Sequence, residues 1–337
     1  LDDDDVRILQ LASLAPSGHN TQPWTVRIAG PKHWVVGSDT RYWLPAVDPD
    51  NRELLLSLGA FIENMAIAAC VLGYEADIEV ISTGSTRNEV AEVWLRKASP
   101  GNFPLDRIRK RRTLRSGFSD REIRAEDLRY VTGHDEEPRK SIPVPSPHAF
   151  YFPNGSAQGK TLQEGLIEAN RAQAYREPAQ EELSRWIRWS GREARANRNG
   201  LTPESMEIGG IAGWYVRHFY DAGSVLKKSF REQTIDIVTK QVKTCGGWLV
   251  VTSTDSEVPT LIAYGRAFER LFLKVRERAI GLHPMTQMLE EQKNLKTGLA
   301  TALGLKGHIQ WVLRLGYVDR YPDPVSLRRP VSWFVRS

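Results

Sequence analysis

Five arginines fall within the short stretch "RIRKRRTLR": Arg107, Arg109, Arg111, Arg112 and Arg115, with Lys110 and the Thr113 hydroxyl among them. Guanidinium forks match phosphate oxygens two at a time and a hydroxyl adds a donor, so the run can cradle a phosphate. It reads equally well as a solvated basic face. A second pair, Arg328 and Arg329 in the Pro-bounded "SLRRPV", would make a convergent anion site with the first. In "AIGLHPMTQ", Gly281 follows a long apolar stretch and Pro284 constrains what comes next, so backbone amides of 281–286 are expected to face a ligand. His283 there is either a donor of a hydrogen bond or proton, or a structural residue at a helix end. The stretch "LAPSGHNTQPWTVRI" supplies a fourth candidate. Pro16 stops a helix, Gly18 and Asn20 tolerate positive φ, and the turn is rich in N–H, hydroxyl and amide groups. It is either turned toward a ligand or closed on itself by Ser17 and Asn20. No Ser/His/Asp order, GxGxxG, P-loop or paired-carboxylate motif is present, so hydrolase chemistry has no support.

The chain of 337 residues is 41% hydrophobic and 9% aromatic, which indicates a globular protein of about two units. Its net charge of +5 suits an anionic ligand. No aromatic side chains interleave with the arginines of 107–115, which argues against a nucleic-acid binder. Cys70 and Cys245 stand alone without CxxC, and the seven histidines lack ligand spacing, so neither a metal nor a disulfide framework is expected. No apolar run approaches the roughly 18 residues of a membrane helix, and no membrane partner is expected. No signal peptide is visible, and a cytoplasmic location is expected. Because the sequence begins at Leu1 rather than Met, an exported form with a trimmed leader stays open.

The elements that would position these residues follow from periodicity. Residues 3–15 read as a helix behind an acidic start, and Trp24 to Ile28 as a strand. Residues 51–73 form the clearest helix, followed by strands at Ile78 to Ile81 and Val90 to Leu95. A Pro/Gly break at Ser99 to Pro104 suggests units of 1–104 and 105–337. Pro138 to Pro147 reads as an extended connector, and 157–196 as charged helix. The glycine-rich, aromatic segment 197–224 has the composition of a lid carrying Trp214, Tyr215, His218 and Phe219; those rings could equally be ordinary core. A helix near 229–243, the strand "GGWLVVTS", a long apolar helix over 257–280 and the closing strand "HIQWVLRLGY" complete the chain.

Together these segments resemble the nitroreductase-like flavoproteins. "APSGHNTQPW" is similar to the family's AP-S-x-x-N-x-QPW signature, and "RRTLRSGF" resembles its RRS-x-R-x-F phosphate motif with Thr113 in place of Ser. In ordinary members the arginine motif comes first and two chains share each flavin. The reversed order here, with "RYWLPAVDPDNRE", "GLHPMTQMLE", "VLRLGY" and "SLRRPV", resembles the Acg-like branch, in which one chain is similar to a fused dimer. The resemblance implies an α+β nitroreductase-like fold: antiparallel-rich mixed sheets flanked by helices, in two fused units, as a monomer with an internal pseudo-dimer. It implies FMN as cofactor, with Pro16, Ser17, Gly18 and Asn20 against the ring and Asn20 with local amides on its pyrimidine edge. Arg111, Arg112, Thr113 and Arg115, with Arg328 or Arg329, would hold the phosphate. Gly281, Leu282, His283, Pro284 and Met285 would face the reactive side. Chemistry would reside on FMN, with no catalytic side chain: NAD(P)H gives hydride and a small acceptor, nitroaromatic or quinone, receives it. The alternative is a non-enzymatic FMN-binding or FMN-storing protein with the flavin under the 197–224 lid.

Overall fold

The computed structural model describes residues 1–133, 148–291 and 298–336, and the connector expected at Pro138 to Pro147 lies outside them. From the N-terminus come α1 (Asp3–Ala12), β1 (Trp24–Gly30), β2 (His33–Ser38), α2 (Arg52–Val71), β3 (Tyr74–Val80) and β4 (Glu89–Lys97). Short helices α3 (Asp106–Lys110) and α4 (Ala125–Thr132) precede β5 (His148–Pro153). Then follow α5 (Ala157–Tyr175), α6 (Glu177–Trp186), α7 (Gly191–Asn197), α8 (Gly210–Phe219), α9 (Ala222–Val225) and α10 (Lys228–Lys243). The chain ends with β6 (Gly247–Ser253), α11 (Val258–Lys274), β7 (Ile280–Pro284), α12 (Gln287–Glu290), α13 (Leu299–Leu303), β8 (His308–Tyr317) and β9 (Val335–Arg336).

Two sheets result. One has the order β3-β4-β2-β1-β9, antiparallel except where β9 joins β1 in parallel; the other, β5-β6-β8-β7, is antiparallel throughout. This is the α+β architecture expected from the sequence. The first sheet draws on residues 24–97 plus the far C-terminus, which returns so that the Phe334 carbonyl accepts from Val26 N–H at 2.9 Å.

The apolar run of β6 is buried on both faces, because the second sheet separates two cores. Leu249 and Val251 join Leu282 and Leu313 in a core with α1, α2, α11 and the first sheet. Trp248 and Val250 join Val312 and Met285 in a second core under α5 and α10. Burial of α2 corrects one expectation. By length and a mean hydropathy of 1.9 it does qualify as a membrane span, yet 89% of that window is inside the protein, so its apolarity serves the core.

Helices α2 and α11 approach at backbone distance. A Cβ on Gly59 would lie 2.3 Å from the Ile262 carbonyl oxygen, and one on Gly265 would lie 2.1 Å from that of Leu56. The same seam buries Glu63 between Arg266 (Nε 3.0 Å) and Arg270 (Nε 2.6 Å). A buried carboxylate with two guanidinium partners keeps its charge compensated and fixes the pairing of the helices.

Candidate functional site

After α1 the chain makes the expected turn, but by a different route. Pro16 follows the helix, Ser17 is extended, and the left-handed positions are His19 (φ 47°), Asn20 (φ 53°) and Gln22 (φ 55°), with Gly18 not among them. Gly18 is small for another reason: a Cβ there would meet Leu44 Cδ1 at 3.0 Å. Three left-handed non-glycine residues within four positions store strain that the surroundings must over-determine. They do. Gln22 N–H donates to Ser17 Oγ (2.9 Å), Gly200 N–H donates to Asn20 O (3.0 Å), and Arg329 N–H donates to Gln22 Oε1 (2.7 Å). The Gln22 amide reaches the carbonyls of Arg198 (3.0 Å) and Leu327 (3.2 Å).

Asn20 is likewise committed. Its Nδ2 donates to the carbonyls of Gly200 (3.1 Å) and Leu327 (3.2 Å), and its Oδ1 accepts from Arg328 Nη1 (2.8 Å). Its amide thus builds the turn.

The two arginine clusters converge on that turn, as expected of a joint site, but with a division of labour. Arg111 Nη2 donates to the Leu14 carbonyl at 2.6 Å, and Arg328 Nη2 donates to the same oxygen at 3.0 Å. Arg329, almost fully buried, donates to the carbonyls of Gln22 (2.6 Å) and Trp24 (3.0 Å) and stacks 4.2 Å from the Tyr42 ring. Arg328 and Arg329 thus hold backbone carbonyls through their Nη atoms, while the Nε of each is buried without a hydrogen-bond partner among the described residues. Arg112 reaches the Asp323 carbonyl and lies 4.0 Å from Glu207.

Arg115 lies among Arg112, Arg314, His19 and His283, with Glu207 as the acidic neighbour. Burial first, and after it the Arg115 charge, lowers His19 to about 4 and His283 well below the ordinary imidazole value, with Arg314 adding to the latter. Arg314 completes the group: it stands opposite His283 across β7 and β8, donates Nη2 to the Arg115 carbonyl (2.6 Å), and lies 4.4 Å from the Phe118 ring. Burial lowers Arg314 to about 10. Its Nε and Nη1, and His283 Nδ1, are buried without a hydrogen-bond partner among the described residues. Buried donors normally have acceptors, and basic groups outnumber the one acidic neighbour, Glu207, so this cluster has the chemistry of an anion site and fits a phosphate group. Leu114 N–H donates to the Leu282 carbonyl at 3.2 Å, which ties the arginine segment to β7 next to His283.

Residues 281–285, whose amides were expected to face a ligand, lie in and just after a paired strand. The helix ends earlier, at Lys274, and after a 3-10 turn the left-handed corner falls on Ala279 (φ 51°), so Ile280–Pro284 is already a strand. Gly281 is required for packing: a Cβ would lie 2.3 Å from Phe118 Cε1. Leu282 and Met285 enter the two cores, Met285 N–H donates to Val312 O (2.8 Å), and of this stretch His283 is the side chain that reaches the basic cluster.

Segment 197–224 touches the site through its first half. Besides Gly200, Arg198 Nε donates to the Arg328 carbonyl (2.9 Å), and Glu207 accepts from Ser116 Oγ (2.5 Å). Trp214, Tyr215, His218 and Phe219 instead lie exposed on α8 and stack on one another, Trp214 on His218 at 4.5 Å and Tyr215 on Phe219 at 4.7 Å.

Glu269 of α11 backs the site. Its carboxylate is fully buried with Arg111 Nε 3.5 Å away, and desolvation outweighs that charge, pushing it up to about 7. The native chain therefore holds a proton that an unfolded glutamate releases near 4.5. Stability from this group is expected to be full below pH 4.5 and to fall as pH rises toward 7, by on the order of 3 kcal/mol. Denaturant melts of the wild type and Glu269→Gln at pH 5 and pH 8 measure it. An unchanged difference between the two pH values in the variant would contradict the assignment.

No family model matches the chain. Two relatives from Mycobacterium tuberculosis, strains CDC 1551 / Oshkosh and ATCC 25618 / H37Rv, each carry the name "Putative NAD(P)H nitroreductase". Each is 25% identical to this chain over 346 aligned positions, covering 97% of it and 90% of the relative. The chain resembles these nitroreductases from end to end. Among solved structures, a nitroreductase-like family protein from Bacillus cereus is similar at a TM-score of 0.34 and 14% identity, covering 70% of this chain and 96% of that one. The nitroreductase resemblance read from the APS-type and arginine motifs thus extends beyond those motifs to the whole length.

Proposed function

We propose that this chain is an FMN-dependent oxidoreductase that takes hydride from NAD(P)H and reduces a nitroaromatic or quinone. The observation that carries this reading is the meeting of both motifs inside one chain. Arg111 of the arginine segment bonds the Leu14 carbonyl at the start of the APS-type turn, and the unpartnered donors of Arg314 and His283 lie beside Arg115. Arg115, Arg314 and Thr113 would hold the phosphate, while Arg111, Arg328 and Arg329 hold the turn that shapes the ring's surroundings. FMN, when bound, supplies the hydride chemistry; the chain supplies position, charge and exclusion of water. His19 and His283, kept neutral chiefly by burial and further by Arg115, would donate hydrogen bonds to an anion without adding fixed charge.

One site per chain follows, and no second copy is needed to complete it. Flavin quantification combined with light scattering over a dilution series tests this. One FMN retained per species of about 38 kDa supports it, whereas flavin loss that tracks dissociation of a dimer contradicts it.

The flavin-storing alternative draws on Glu207, whose contact with Ser116 holds the first half of segment 197–224 against the arginine run. Glu207→Ala is expected to speed nicotinamide-dependent reduction roughly fivefold while FMN stays bound, since a latch of this kind is worth about 1 kcal/mol. An unaltered rate in a folded, FMN-loaded variant would show that the segment does not gate access.

A further inference from the structure

A second cleft, of about 530 Å³, opens between residues 40–45, the 182–199 stretch and Trp333. That volume falls in the range of sites for nucleotide-sized ligands. Rings and cations share its walls. Tyr42 lies 6.2 Å from Trp186, and Trp333 is 46% exposed. Arg41, Arg185 and Arg188 supply positive charge.

That charge is compensated only in part: Glu193 acts on Arg188, Glu182 is near Arg185, and Asp39 pairs with Arg41. Asp39 faces two guanidinium groups, Arg41 and Arg336, each at 2.6 Å. Arg188 is held by neutral oxygens: the Arg185 carbonyl (2.6 Å), the Asn199 carbonyl (3.2 Å) and Asn199 Oδ1 (2.7 Å). Arg329, beneath Tyr42, is held by carbonyls alone among the hydrogen bonds above. Glu182, the carboxylate in the lining, is turned inward, accepting from the amides of Ala46 (2.9 Å) and Val47 (3.2 Å). Indole and phenol faces with surplus guanidinium charge suit a planar base joined to phosphate.

The cleft also shares backbone with the site already described. Asn197 and Asn199 line it, the Arg198 carbonyl between them accepts from Gln22, and the next residue, Gly200, bonds Asn20.

We infer that this cleft binds the adenosine phosphate half of the nicotinamide donor, its base on the exposed Trp333 ring, with Trp186 buried behind, and its phosphate on Arg185 and Arg41. The donor's identity rests on the proposed function, but the binding is measurable without turnover. Adenosine 2′,5′-bisphosphate is titrated calorimetrically into the FMN-loaded full chain, into Arg185→Ala and into Trp333→Ala. Each variant, with flavin content unchanged, is expected to bind the probe about tenfold more weakly, and to raise the KM for NADPH with little change in kcat. Failure of the wild type to bind the probe, equal binding by all three proteins, or equally effective displacement by inorganic phosphate would overturn the inference. Weakened probe binding in both variants with no NAD(P)H oxidation by any of the proteins would uphold the nucleotide site and overturn the oxidoreductase reading instead.

Discussion

Arg115→Ala is expected to weaken FMN binding by roughly 2 to 5 kcal/mol, at least about thirtyfold, and to leave riboflavin binding nearly unchanged. Removal of a desolvated guanidinium that pairs with a phosphate loses the charge-assisted hydrogen bonds outright. The contact from Arg314 to the Arg115 carbonyl survives in alanine, because it uses backbone. Loss of Arg115 also removes a charge that adds to burial in depressing His19 and His283, so both imidazoles should titrate at somewhat higher pH in the variant. Fluorescence titration of FMN and riboflavin into wild type and variant, with histidine titration by NMR, checks both effects. Equal wild-type affinity for the two flavins would remove the phosphate from this site.

The largest stability effect is expected at the crossing of α2 and α11. Gly265→Ala gains about 1 kcal/mol of helix propensity, but its Cβ would lie 2.1 Å from the Leu56 carbonyl oxygen, far inside contact distance. That oxygen belongs to a helix and has no rotamer to escape into, so the helices must separate. Overpacking wins, and a net loss of roughly 3 kcal/mol is expected. Separation would also disturb Glu63 with its two arginines and Glu269 beside Arg111, and so reach the site. Urea unfolding of the variant measures the loss; a change within about 0.5 kcal/mol would show that the seam can relax.

Much of the site was legible in the sequence because it lies in local motifs. The stop at Pro16, the arginine run and the Arg328-Arg329 pair each have local signatures, and the fold unites them around the Leu14 carbonyl. What a sequence does not carry is which way each donor turns. Arg111, Arg328 and Arg329 answer nearby carbonyls left by a strained turn, whereas Arg115 faces inward. Arg314 was not singled out, although one arginine inside the apolar strand "HIQWVLRLGY" was the available signal. Glu207 had none, since its partner Ser116 is remote in sequence. The strand at 280–284 carries no clear local signal because Gly281 after an apolar stretch suggests backbone freedom, while the actual demand is room for the Phe118 ring. Strand β2 escaped notice for lack of alternation, being buried over Trp34 to Ser38. The two-residue β9 has no local pattern; only its pairing with β1 defines it.

The central claim, that this chain relays electrons from a nicotinamide donor through FMN, is tested most directly by the visible spectrum of the FMN-loaded protein under argon. The account predicts that NADPH or NADH bleaches the flavin band and that a quinone or nitroaromatic then restores it. A yellow protein whose spectrum stays oxidised with either nucleotide would contradict it.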